Sequence, residues 1–204
     1  MTFPSPSPTH VAIVVFDEVE VLDCCGPFEV FSVANRAAAG RGEPEPFVVR
    51  MVAADREVVA RGGLVLRAHA TIDEDPPVDL LVVSGGVTDA VEKDARVTGW
   101  VARVRPRLTT SVCTGAFVLA EAGVLTDQQV TTHWEDQQAL AERWPSLTVL
   151  ADRRWVRDGD VLTSGGISAG IDMALHLVEV VAGRELAEAT AHQMEYRWND
   201  DPAA

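Results

Sequence analysis

Three short runs of nearly uninterrupted apolar residues stand out along the chain, at 10–16 (HVAIVVF), 47–53 (FVVRMVA) and 78–83 (VDLLVV). Their brevity and their β-branched side chains predict strands covered on both faces, as in the interior of a parallel sheet. A fourth stretch, Thr109-Thr110-Ser111-Val112, has the same β preference and stops at Cys113. Beyond it Phe117, Val118, Leu119 and Ala122 recur at helical spacing, with Gly115 relieving the crowding behind the turn. The pattern there is strand, sharp turn, helix.

Helical spacing fills the other intervals. Residues 17–23 read as a connection, after which Gly26-Pro27 predicts a helix with Pro27 at its first position, running through Phe28, Val30, Phe31, Val33 and Ala34 toward Gly40. Further helices are expected around 97–104, over 133–144 ahead of Pro145, over 167–182 and over 184–198. Val58-Val59 and residues 64–66 flank Arg61-Gly62-Gly63 as a hairpin decorating the sheet edge. Residues 154–156 and 161–163 form another across Asp158-Gly159, and 130–132 and 147–150 are short strands. This alternation, without internal repeats, predicts an α/β doubly wound sandwich.

Composition narrows the possibilities. A chain of 204 residues that is 47% hydrophobic supports one core, giving a Pro- and Ser-rich disordered tail at 1–9, a single domain at 10–198 and a C-terminal tail at 199–204. A formal net charge of −14 argues against nucleic-acid partners, which need clustered Lys and Arg. The N-terminus lacks the signature of a signal peptide and no apolar run approaches membrane length, so no membrane association is expected. Three cysteines, two of them adjacent at Cys24 and Cys25, make no disulfide framework, which suits a reducing, cytoplasmic setting. No histidine or cysteine spacing suggests a metal site, and no GxGxxG or GxxxxGK[ST] supports a dinucleotide or nucleoside triphosphate.

Candidate chemistry gathers where strands end. Cys113 at a strand's C-terminal end is either a small buried hydrophobe or a nucleophile whose thiolate is favoured by the following helix N-terminus. Asp23 sits in the most apolar part of the 17–23 stretch, between Val21-Leu22 and Cys24-Cys25. It either helps start a helix or is held protonated by burial beside the thiol, as a proton donor. Ser84-Gly85-Gly86 closes the 78–83 strand, so the backbone N–H groups of Gly86 and Thr114 are candidate donors to a developing negative charge. The alternative is an ordinary βα turn. His133, expected at a helix start, is a further candidate pocket residue. Trp100, Trp144, Trp155 and Trp198 are assigned to packing.

Five separated motifs carry a resemblance. Asp23-Cys24-Cys25-Gly26-Pro27-Phe28-Glu29-Val30, Ser84-Gly85-Gly86, Ser111-Val112-Cys113-Thr114-Gly115, Thr131-Thr132-His133-Trp134 and Gly166-Ile167-Ser168-Ala169-Gly170-Ile171-Asp172 resemble the ThiJ/PfpI superfamily, in its isonitrile hydratase branch. The resemblance implies a flavodoxin-like sandwich with a mainly parallel sheet, helices on both faces, a nucleophile elbow and usually a homodimer. It implies Cys113 as nucleophile, Asp23 as the acid contacting its sulfur, and Thr114 as the adjacent threonine of the hydratase branch. Gly85, Gly86 and His133 remain the substrate-binding candidates. The implied reaction adds water to a small isonitrile, giving an N-substituted formamide through a cysteine thioimidate, without a cofactor. Thr114 stands where peptidase-like members tend to have histidine, which weakens a protease reading. Similar domains also form the N-terminal half of AraC-type regulators. A non-catalytic ligand-sensing or redox-responsive module is therefore the alternative, although no helix-turn-helix follows in these 204 residues.

Overall fold

The computed structural model describes residues 7–203. Most of the expected N-terminal tail (residues 1–6) and residue 204 lie outside it. The chain runs β1 (Thr9–Val14), α1 (Val21–Gly40), β2 (Phe47–Ala53), β3 (Glu57–Val59), β4 (Val65–Arg67), β5 (Ala70–Thr71), β6 (Leu80–Val83), α2 (Asp89–Lys93) and α3 (Ala95–Arg103). It continues through β7 (Leu108–Val112), α4 (Gly115–Glu121), β8 (Gln129–Val130), α5 (Gln137–Arg143), β9 (Thr148–Val149), β10 (Trp155–Asp158), β11 (Val161–Ser164), α6 (Ala169–Ala182) and α7 (Arg184–Gln193). No helix among the described residues is long and apolar enough to cross a membrane.

The apolar runs form the middle of a seven-stranded sheet ordered β10-β11-β7-β6-β1-β2-β5, parallel except for β10 against β11. Every residue of β6 and β7 is buried. That includes Thr110, whose hydroxyl donates to the Leu81 carbonyl at 2.9 Å and so costs the core little. Helices α1, α6 and α7 pack together as one layer, and α2, α3 and α4 as another. This is the flavodoxin-like, doubly wound arrangement.

Register explains the position of the site. Val14 pairs with Val83, Val83 with Ser111, and Val112 with Ser164, so β1, β6, β7 and β11 end at one level. The segments that follow them, at 15–20, 84–88, 113–114 and 165–168, meet beyond the same edge, where open parallel sheets bind ligands.

Four expectations need correction. Helix α1 starts at Val21 rather than Pro27 and carries Pro27 in its interior. Pro27 deprives the Asp23 carbonyl of its i+4 donor, but burial of Cys24, Val30, Phe31, Val33 and Ala34 on the core holds the helix continuous. Asp23 therefore lies in a helical first turn, not in a connection. The β3–β4 hairpin forms its own two-stranded sheet and is not an edge of the main one, which ends at β5. It hangs on the segment after β1, through Glu18 N–H to the Val59 carbonyl at 2.8 Å and Arg61 N–H to the Val19 carbonyl at 3.0 Å. His133 precedes a turn, and α5 begins only at Gln137; the Glu135 N–H donates to His133 Nδ1 (3.4 Å), a side-chain bond that competes with helix at that point. Finally, α7 stops at Gln193, short of 198, and Glu195 adopts a left-handed φ of 50°.

The segment beyond α7 folds back onto Asp172, a fully buried carboxylate on α6. Arg154 donates to its Oδ2 through both Nε and a terminal nitrogen, and the Asn199 N–H donates to Oδ1 at 3.0 Å. Trp198 Nε1 donates to the Asp172 carbonyl (3.2 Å) and Arg154 N–H to the Pro202 carbonyl (2.8 Å), so residues 198–202 are fastened to the body.

Candidate active site

Cys113 follows β7 with φ 55°, in the left-handed region that a side chain enters at a cost of roughly 1–3 kcal/mol. Surrounding bonds over-determine that conformation. The Cys113 N–H is shared by the carbonyls of Ser164 and Gly165, both at 3.2 Å, and the Cys113 carbonyl accepts from Thr132 Oγ1 at 2.7 Å. Two residues on, a Cβ at Gly115 would stand 2.2 Å from the Val83 carbonyl oxygen, so only glycine lets α4 leave this close to β6. The result is a strained strand-to-helix elbow whose cysteine is 7% exposed.

Burial pushes the Cys113 thiol up to about 12, and the Asp23 charge adds to the effect, while the N–H and hydroxyl of Thr114 oppose it. The expectation of a favoured thiolate is therefore reversed. Desolvation outweighs the few free amides that a seven-residue helix presents. At rest the sulfur carries its proton.

Asp23 is fully buried and its carboxyl is raised to about 7, mainly by desolvation and then by the Glu20 charge. The Gly85 N–H, the Cys113 thiol and the Ile167 N–H pull the other way. Its Oδ2 accepts from Gly85 N–H at 3.1 Å, while Oδ1 has no conventional hydrogen-bond partner. A carboxyl that titrates near neutrality against a neutral thiol is equipped to move a proton in either direction.

The two glycines have duties other than those expected. Gly85 N–H is committed to Asp23, and Gly86 N–H donates to Thr114 Oγ1 at 2.8 Å while that hydroxyl donates to the Gly86 carbonyl at 2.9 Å. Gly86 thus has no free amide for an oxyanion. A Cβ on Gly85 would lie 2.6 Å from Thr114 N and 2.8 Å from Asp23 Oδ2, so its bare backbone is what lets acid, elbow and loop approach. Thr114 locks this loop to the elbow while its N–H faces the sulfur.

His133 stands beside a hollow of about 460 Å³ whose walls are residues Thr132 to Trp134 and Gly165 to Ala169, with Gln137, Asp152, Arg153 and Arg154. Its Nδ1 is 3.5 Å from Asp136 Oδ2. Asp136 escaped the sequence reading. Its charge raises the Cys113 thiol, and its own carboxyl is raised by burial against the opposing pull of His133. Ile167, also missed, turns its N–H toward Asp23 from a φ of 50°. A signal existed for it, because Ser164-Gly165-Gly166 repeats at the end of β11 the Ser84-Gly85-Gly86 that follows β6. Among the described residues no group of three or more His, Cys, Asp or Glu could hold a metal ion.

Residues 9–180 match the DJ-1/PfpI family. The chain belongs to that family. The chain is 32% identical over 192 residues to an isonitrile hydratase of Pseudomonas putida, covering 92% of this chain and 78% of that one. It is 31% identical over 194 residues to the HTH-type transcriptional regulator GbdR of Pseudomonas aeruginosa, covering 93% of this chain but only 51% of the regulator. Among solved DJ-1/PfpI relatives, a ThiJ/PfpI family protein from Pseudomonas syringae superposes with a TM-score of 0.83 at 27% identity, over 95% of this chain and 77% of that one. An AraC family transcriptional regulator from Pseudomonas putida shares the fold with a TM-score of 0.77 at 24% identity, over 92% and 100% of the two chains.

Proposed function

We propose that this DJ-1/PfpI domain hydrates small isonitriles, with Cys113 as nucleophile and Asp23 as its proton carrier. The observation that carries the reading is a carboxyl titrating near 7 against a neutral thiol on a strained elbow. Similarity to an isonitrile hydratase over 92% of the chain supports the substrate class. In the first step the Cys113 sulfur bonds to the terminal carbon of R–N≡C. Asp23 takes the thiol proton and passes its own to that carbon, leaving the thioimidate R–N=CH–S–Cys113. Water then adds to the same carbon with a proton going to nitrogen. The carbon–sulfur bond breaks, the sulfur regains a proton, and R–NH–CHO leaves. Thr114 holds the Gly85-Gly86 loop against the elbow and directs its N–H at the sulfur throughout, while His133 lines the approach. No step uses a cofactor, and the proposed setting is the cytoplasm.

A second reading is favoured by one observation. The chain is as similar to half of a transcriptional regulator as it is to the hydratase, and a thiol near 12 is a poor nucleophile until Asp23 acts on it. In that case the same crevice senses a small ligand and the elbow does no chemistry. Exposed Val59, Leu64 and Val65 on the hairpin, together with Leu22 on α1, fit the homodimer that belongs to either reading.

The test is formamide formation from cyclohexyl and aryl isonitriles, followed by mass spectrometry, for the native chain, Cys113→Ala and Asp23→Asn. Turnover by the native chain and its loss in both variants is the expected result. Undiminished turnover in Cys113→Ala overturns the covalent route, and no turnover of any isonitrile by the native chain favours the sensor.

A further inference from the structure

Four of the five tryptophans are engaged by the body of the protein. Trp100 and Trp155 are buried, Trp144 stands edge-on to Phe117, and Trp198 lies under the Arg184 guanidinium with its indole N–H on the Asp172 carbonyl. Trp134 is 73% exposed. It and Ile167, another large apolar side chain left exposed, both line the hollow of about 460 Å³ beside His133. None of Leu22, Val59, Leu64 and Val65 lines it, so the hollow shares no residue with the patch that fits the homodimer.

The wall of the hollow is made of the groups that hold the elbow and its acid. Thr132, whose hydroxyl donates to the Cys113 carbonyl, belongs to it, and so does Gly165, whose carbonyl accepts the Cys113 N–H. Ile167, with its N–H turned toward Asp23, is a third member. A linear R–N≡C with R in the hollow therefore carries its terminal carbon toward the sulfur.

Aromatic surface is fixed at the same place. A Cβ on Gly166 would fall 2.1 Å from His133 Cδ2, so the bare glycine lets the imidazole lie directly against the loop. The Trp134 ring stands 5.7 Å from the His133 ring, tilted by 36°. Ring-on-ring contacts in offset or edge geometry add to what buried area alone contributes, and a saturated ring of the same size does not obtain that gain. Charge favours neither sign of ligand, since Asp152 and Arg153 line the hollow together and Arg154 is engaged by Asp172. A cavity of about 150 Å³ accepts benzene, so a six-membered ring fits here with room for substituents.

We propose that Trp134 is the specificity-determining residue of this site, and that R is an uncharged aromatic ring seated against its indole. The proposal rests on the isonitrile reading for the reacting group; the aromatic seat itself does not.

A size-matched pair of products tests the seat without chemistry. Calorimetric titration of the native chain should show formanilide bound about two- to twelvefold more tightly than N-cyclohexylformamide. Trp134→Leu, which keeps an apolar side chain, should bring the two affinities together, and Trp134→Phe should retain most of the preference. The side chain is largely exposed, so neither variant opens the core. In turnover, the ratio of kcat/KM for phenyl over cyclohexyl isonitrile should fall by the same factor on going from the native chain to Trp134→Leu, a comparison that cancels the intrinsic reactivities. Equal affinities in the native chain, no measurable binding of either formamide, or a preference that survives Trp134→Leu overturns the proposal. So does a Trp134→Leu chain whose oligomeric state changes while its preference does not, which would assign the ring to a subunit contact. An aromatic preference in binding without turnover of any isonitrile would sink the hydratase reading and leave the seat as that of a sensor for aromatic ligands.

Discussion

Asp23→Asn should make the protein more stable, by an amount that grows with pH. The carboxyl ionises near 7 in the folded chain and near 3.8 when free, so between those values the folded state keeps a proton that the unfolded state has lost. A group raised in this way stabilises the fold fully below about pH 4, and that contribution drains away as pH climbs to 7. At 1.36 kcal/mol per pH unit the loss is at most about 4 kcal/mol. Asparagine is isosteric, keeps an oxygen for the Gly85 N–H and never ionises. Urea unfolding of both chains at pH 5, 6, 7 and 8, with solvent conditions otherwise fixed, gives the difference in stability at each pH. The expected difference rises in favour of Asp23→Asn up to about pH 7 and levels off beyond. A difference that is flat across this window, or that shrinks with rising pH, would refute the claim that Asp23 is buried against desolvation rather than stabilised as an anion.

Gly85→Ala should cost roughly 1–3 kcal/mol by overpacking the Thr114 backbone and Asp23, read from the shift in the urea midpoint, and should abolish any turnover. Thr114→Val strips Gly86 N–H of its acceptor and the Gly86 carbonyl of its donor, with an expected loss of about 1–3 kcal/mol in the same assay. Iodoacetamide should label Cys113 slowly at pH 6 and progressively faster above pH 8, the opposite of a low-pKa thiol; rapid labelling at pH 6, located by peptide mapping, would contradict its upward shift. Arg154→Leu leaves Asp172 buried and uncompensated, so about 3–5 kcal/mol of stability and the hydrogen-exchange protection of residues 198–202 should go together.

The sheet was legible because its central strands are apolar on both faces, a pattern that needs no tertiary information. The elbow was legible for a related reason, since a β-branched run ending at Cys113 and a helical pattern after Gly115 leave room only for a turn. What sequence misjudged depended on competition between local and distant forces. Pro27 is a strong local signal for a helix start, yet core contacts from Cys24 to Ala34 carry the helix back to Val21. Gly86 has the form of an anion-binding turn, but the hydroxyl of Thr114, 28 positions away, already occupies its N–H. The sign of the Cys113 shift was missed because a helix N-terminus can be read from residue types, whereas the depth to which four loops bury a sulfur cannot.

The backbone at Cys113 has one more consequence, which concerns selection in the laboratory. Its left-handed φ is tolerated best by glycine, and Asp23 is destabilising at neutral pH, so the two residues at the centre of the crevice are also two that the fold would be better without. A random library screened only for heat tolerance should therefore enrich replacements at 23 and glycine at 113. The positions that such a screen erodes would map the crevice without any substrate being known.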